Sequence, residues 1–131
     1  MKFKKLFPES TDVEARLESV STINDQDALK EIAKADSDYR VRIAAIEHID
    51  DDDGFLRDIA FEDSNRQVMI AAVEGISNQR ILEEIARKHS DCHVRISAVE
   101  RIRDKSVLEL ISQDDSNRTV RKIALDILNR Q

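Results

Sequence analysis

A phrase of fourteen residues recurs four times in this chain, and that recurrence limits the folds open to it. It reads DSDYRVRIAAIEHI at 36–49, DSNRQVMIAAVEGI at 63–76, HSDCHVRISAVERI at 89–102 and DSNRTVRKIALDIL at 115–128. The phrases align on Val41, Val68, Val94 and Val120. Four residues on stand Ala45, Ala72, Ala98 and Ala124; five on, Ile46, Val73, Val99 and Leu125; eight on, Ile49, Ile76, Ile102 and Leu128. Those spacings draw one apolar stripe on a helix, and the alanine column lets another helix approach closely. Three residues before each valine stands Asp38, Asn65, Asp91 or Asn117. Such side chains accept the unpaired N–H groups of a first helical turn. The serines just before them (Ser37, Ser64, Ser90, Ser116) are second capping candidates. The spacing predicts helices starting near residues 12, 39, 66, 92 and 118.

Between the phrases runs a shorter pattern: ALKEIA at 28–33, FLRDIA at 55–60, ILEEIA at 81–86 and VLELIS at 107–112. Its apolar residues recur at i, i+1, i+4 and i+5, which predicts a first helix of about two turns ahead of a longer second one. A helix pair of this size cannot bury its apolar face alone, so the units must stack. The N-terminal stretch fits a fifth, degenerate unit, with FKKLF (3–7) as its first helix and TDVEARLESV (11–20) as its second, opened by a capping box of Thr11 and Glu14. The expected fold is all-α, a right-handed solenoid of about five antiparallel helix pairs in a single domain over 1–131. Its units lie at about 1–23, 24–50, 51–77, 78–103 and 104–131. The expected core holds Val41, Ala45, Ile49, Leu56, Ile59, Val68, Ala72, Ile76, Leu82, Ile85, Val94, Ala98 and Ile102.

Composition agrees with that class. Two glycines, one proline and 4% aromatic residues suit helices better than a sandwich or barrel. The formal net charge of −6 points away from phosphate-rich nucleic acid and toward a protein partner with a basic surface. A single cysteine, Cys92, permits no internal disulfide, so a reducing, cytoplasmic setting is expected. No apolar run approaches the ~20 residues of a membrane span. The opening MKFKKLFPES has no secretory apolar stretch and reads as core rather than as a membrane anchor.

The phrase DSDYRVRIAAIEHI resembles the short HEAT-like repeats of phycobilisome-lyase-type proteins, through Asp38, Val41, Arg42, Ala45 and Ile49 and their counterparts in later units. The likeness covers about residues 11–131 and implies a helical repeat architecture. It also implies an Arg–Asp ladder between neighbouring units. The arginines would be Arg42, Arg95 and Arg121, interrupted by Met69, and the acceptors the loop acids Asp36, Asp38, Asp63, Asp91 and Asp115. Two departures stand out. Tyr39, Arg66, Cys92 and Arg118 replace the usual proline, and no glycine follows Ile49, Ile76 or Ile102, which predicts looser loops. The basic, aromatic start is similar to that of some larger bacterial proteins, which implies an N-terminal interaction domain.

On a helical wheel with valine at zero, the apolar columns fall at about 0°, 40°, 80° and 140°. The column one after valine, at about 100°, lies inside that arc, so its arginines must pair or snorkel. The column six after valine, at about 240°, faces away and holds Glu47, Glu74, Glu100 and Asp126. In a HEAT-like solenoid these acids would line the concave face. Helices about 8–10 Å apart would make their repulsion a few tenths of a kcal/mol in water. The column is therefore a candidate partner-binding surface.

Catalytic and metal chemistry find little support. HSDCH (89–93) gathers His89, Asp91, Cys92 and His93, which zinc could use. The segment opens a helix, however, Asp91 is its cap, and His48 lies two units away. DDDDG (50–54) fails the EF-hand spacing, because positions one and twelve would be Ile49 and Ala60. No catalytic residues, metal or cofactor are expected. The expected function is a non-catalytic scaffold that binds a protein, with neither nucleic acid nor membrane as partner. Self-association is expected to be at most weak, through the C-terminal end. There Lys122 replaces the isoleucine of earlier units while Ile123, Ile127 and Leu128 stay apolar. The alternatives are a bilin lyase-like enzyme, implied by the resemblance, and a DNA glycosylase-like one, which would need a basic face and aromatics.

Overall fold

The computed structural model describes residues 12–131, and every helix and strand assigned there is helix. Nine helices follow one another among these residues: α1 (Val13–Thr22), α2 (Gln26–Ala35), α3 (Tyr39–Glu47), α4 (Asp53–Glu62), α5 (Arg66–Gly75), α6 (Gln79–Lys88), α7 (Cys92–Val99), α8 (Lys105–Asp114) and α9 (Arg118–Asn129). The expected helix at 3–7 and the capping role of Thr11 lie outside the described residues. The chain divides into two compact units, with the boundary between Asp52 and Asp53.

The helices begin where the capping residues stand. Asp38, Asn65, Asp91 and Asn117 each accept backbone N–H groups of the turn that follows, and Asp12 does so for α1. The second helices thus start at residues 13, 39, 66, 92 and 118. Their lengths differ from expectation. The first helices α2, α4, α6 and α8 have 10 residues each, whereas α3, α5 and α7 have 9, 10 and 8. The phrase ends its helix early because the last apolar column (Ile49, Ile76, Ile102) sits beyond the helix, folded back under it. Ile76 and Ile102 are buried there and Ile49 is half-buried.

In the first unit α3 packs against both α1 and α2. In the second, α5 packs on α4 and α7, α7 on α6 and α9, α9 on α8, and α4 on α6. The stripes meet in these contacts. Val41, Ala45, Val68, Ala72, Val94, Ala98, Val120 and Ala124 are fully buried, as are Leu82 and Ile85 from the first helices. Burying one such leucine or valine contributes about 1.5–3 kcal/mol. Close approach is visible at Gly75, where an added Cβ would stand 3.0 Å from Leu56 Cδ1.

The loops that lack glycine are tied by a side chain the phrase does not contain. Gln26, the first residue of α2, donates from Nε2 to His48 O at 3.0 Å and accepts Asp50 N–H at 2.9 Å. Gln79, the first residue of α6, repeats the clamp on Arg101 O and Arg103 N–H, each at 3.0 Å. Asp53, in the same column, accepts the N–H groups of Ser77 and Asn78. An amide can donate and accept at once, so one glutamine pairs two loop groups that a glycine turn would leave to water. Within the acidic run at 50–54, Asp51 takes a left-handed φ of 37°, which aspartate tolerates. Asp52 pairs with Lys30. We expect Gln79→Ala to lower stability by about 1 kcal/mol in urea unfolding and to speed hydrogen exchange at Arg103 N–H. Gln67→Ala, on the exposed side of α5, should stay within about 0.5 kcal/mol of the parent.

Candidate functional site

Each turn between paired helices is built around the side chain five residues before the valine. Asp36 accepts Asp38 N–H at 2.9 Å, Asp63 accepts Asn65 N–H at 2.8 Å, and Asp115 accepts Asn117 N–H at 2.8 Å. Two of these carboxylates also receive a guanidinium edge. Arg95 grips Asp115 with Nε and Nη2 at 3.0 and 3.1 Å, and Arg16 grips Asp36 in the same way at 3.1 and 3.2 Å. Both arginines are buried, 8% and 7% exposed. Arg42, Arg95 and Arg121 each also donate Nη1 to the carbonyl six residues back, at 2.7–2.8 Å. A buried fork with every donor used offsets its own desolvation and imposes register.

The other two acids named with the ladder serve elsewhere. Asp38 and Asp91 are caps, and their remaining oxygens face the exposed guanidiniums of Arg40 and Arg66 at 3.1 and 2.7 Å. Arg16 escapes a reading anchored on valine, since its phrase has Ala15 in the valine column.

The middle of the ladder changes both partners. Met69 is buried where arginine stands elsewhere, and twenty residues on, His89 replaces aspartate. His89 Nδ1 accepts Asp91 N–H at 3.0 Å, so it does for this turn what Asp115 does for the next. The amide can only donate, which leaves the ring proton on Nε2, and that donates to Ala60 O at 2.7 Å. The ring stacks on Phe61 at 5.3 Å, and Arg57 lies 5.1 Å over Phe61 while pairing with Glu84 at 2.6–2.7 Å.

His89 is therefore committed to the turn. The three neighbouring donors, Asp91, Cys92 and His93, lie within 4.8 Å of one another. Yet Asp91 spends one oxygen on the N–H groups of His93 and Val94 and the other on Arg66. A cation there would have to displace a helix cap and an ion pair.

The acid column is exposed in every phrase, at Glu47, Glu74, Glu100 and Asp126. Its height along the helix is what a wheel does not show. Glu47 ends α3, Glu74 is the penultimate residue of α5, and Glu100 caps the C-terminus of α7. The carbonyl ends of those helices are already negative, so acids there are mildly unfavourable to the fold and add to a cation-attracting potential. Cations of the protein itself already meet part of it. Arg101 Nη1 donates to Val73 O at 2.6 Å, next to Glu74. Glu100 borders a hollow of about 310 Å³ that it shares with Arg101 and Arg103. Asp126 lies within α9 and pairs with Lys122 at 3.2 Å. None of the helices among the described residues is long and apolar enough to cross a membrane.

No family model, curated protein or solved structure matches this chain.

Several caps and pairs make the protein acid-sensitive. The Ser106 hydroxyl and then the Ser106 and Val107 N–H groups hold the Asp104 carboxyl below its usual range. Arg40 does the same for Asp38, and Arg57 for Glu84. For Asp91, burial pushes upward but is outweighed by Arg66 and the N–H groups of His93 and Val94, leaving it lowered. Folded values below unfolded ones mean that the folded chain binds fewer protons in that window. The stabilisation is whole above the unfolded value of about 4 and is lost as pH falls through the folded values. The urea midpoint should therefore drop below pH ~4. Asp104→Asn, which keeps the cap acceptor but cannot titrate, should flatten part of that drop.

Proposed function

We propose that this chain is a non-catalytic interaction scaffold, an α-solenoid of HEAT-like helix pairs in a cytoplasmic setting. Its second helices would present the concave binding face. The partner is a protein with a basic surface, met by Glu47, Glu74, Glu100 and Asp126. One observation carries this reading. At one register position in four phrases an acid is kept and exposed, and in three of them it sits at a helix C-terminus, where the fold gains nothing from it. The residue after it varies freely, as His48, Gly75, Arg101 and Ile127.

A lysine or arginine of the partner would meet both a carboxylate and free backbone carbonyls at these ends. Such contacts act mainly on encounter rate and salt dependence. The partner should therefore bind more weakly as ionic strength rises. Replacing all four acids by glutamine should leave the melting temperature unchanged or slightly raised, because the side chains are solvated. Association with the partner isolated from native extract should fall several-fold at low salt. Equal binding by parent and quadruple variant at low ionic strength would reduce the column to a soluble surface.

A further inference from the structure

The last rung of the ladder is half-built. Arg121 Nη1 donates to Asp115 O at 2.7 Å, as Arg95 Nη1 does to His89 O at 2.8 Å. In Arg95 the Nε and Nη2 edge then closes on the Asp115 carboxylate. In Arg121 the same edge meets no carboxylate among the described residues. One turn along α9, Leu125 is 49% exposed, whereas Val73 and Val99 in its column are fully buried. Leu128, a further turn on, is half-buried.

The other helix of this unit has been made polar. In the second unit Arg57 and Phe61 of α4 reach Glu84 and His89 beyond it. The matching positions of α8 are Glu109 and Gln113, both exposed. So α8 is finished as a solvated end and α9 is not.

We infer that α9 is a docking surface for a single amphipathic helix of another protein, one that carries an aspartate or glutamate about one helical turn from an apolar residue. The carboxylate closes on the open edge of Arg121, and the apolar residue covers Leu125. Charge and shape select this occupant. A stacked helix pair would bury Glu109 and Gln113 of α8 without partners. A second copy stacked head to tail would bring Ser10, which holds the acceptor column of the first phrase, and not a carboxylate. The inference is independent of the acid column, since Arg121 and Leu125 lie outside it.

The test is selection of a displayed library of amphipathic helical peptides on the immobilised full chain, with sedimentation of the free chain in parallel. Enriched peptides should carry Asp or Glu one turn from Leu, Ile or Met. Their affinity should fall about ten-fold on Arg121→Gln and on changing the peptide's acid to its amide, and also on Leu125→Asp. Arg121→Gln and Leu125→Asp change groups that are half-exposed or more, and the circular dichroism melt of each variant checks that it stays folded. Enriched peptides without an acid, affinity indifferent to both variants, or no enrichment would overturn the assignment. Dimers of the free chain abolished by Arg121→Gln would overturn it too, by giving the face to a second copy.

Discussion

The turn that joins the two helices of a unit is the point on which the rest of this structure depends. One side chain, five residues before the phrase valine, accepts the N–H of the capping residue and so sets where the second helix begins. Where that side chain is Asp36 or Asp115, it also receives both edges of a buried guanidinium from twenty residues earlier. Hydrophobic burial supplies most of the stability, but burial is non-directional and would tolerate slippage of one stripe along another. A bidentate fork is not tolerant in that way. The junction thus converts a set of similar apolar faces into one register.

Much of this was legible in the sequence because capping and periodicity are local. The five helix starts follow from Asp12, Asp38, Asn65, Asp91 and Asn117, whose short side chains reach only the next turn. The buried columns follow from a period of about 3.6 residues. What escaped was set by geometry at a distance. Gln26 and Gln79 look like surface residues until the loop they clamp is placed beside them. Arg16 was hidden by the substitution of Ala15 for valine. The early helix ends, and with them the height of Glu47, Glu74 and Glu100, are invisible on a wheel, which records angle alone. Met69 and His89 read as separate irregularities in two phrases, and only their matched positions show a paired change.

The two charged features have different physical standing. The guanidinium forks are buried and saturated, so they serve the fold. The acids of the outward column are solvated, lie at or near negative helix ends, and contribute little to folding. That separation is why the column, rather than the ladder, supports the scaffold reading. The unfilled edge of Arg121 belongs to neither group, having the ladder's geometry without its partner.

The central claim is that Arg–Asp and Met–His are alternative solutions to one junction, so that each must be exchanged as a pair. A double-mutant cycle of Met69→Arg and His89→Asp tests it directly. Met69→Arg alone buries a guanidinium opposite a ring that offers no carboxylate, and His89→Asp alone loses the Ala60 bond and the Phe61 stack. The account predicts that the double variant recovers stability relative to the sum of the singles, with a favourable coupling of about 1–3 kcal/mol in equilibrium unfolding. Additivity within about 0.5 kcal/mol would contradict it, because the two positions would then share no junction.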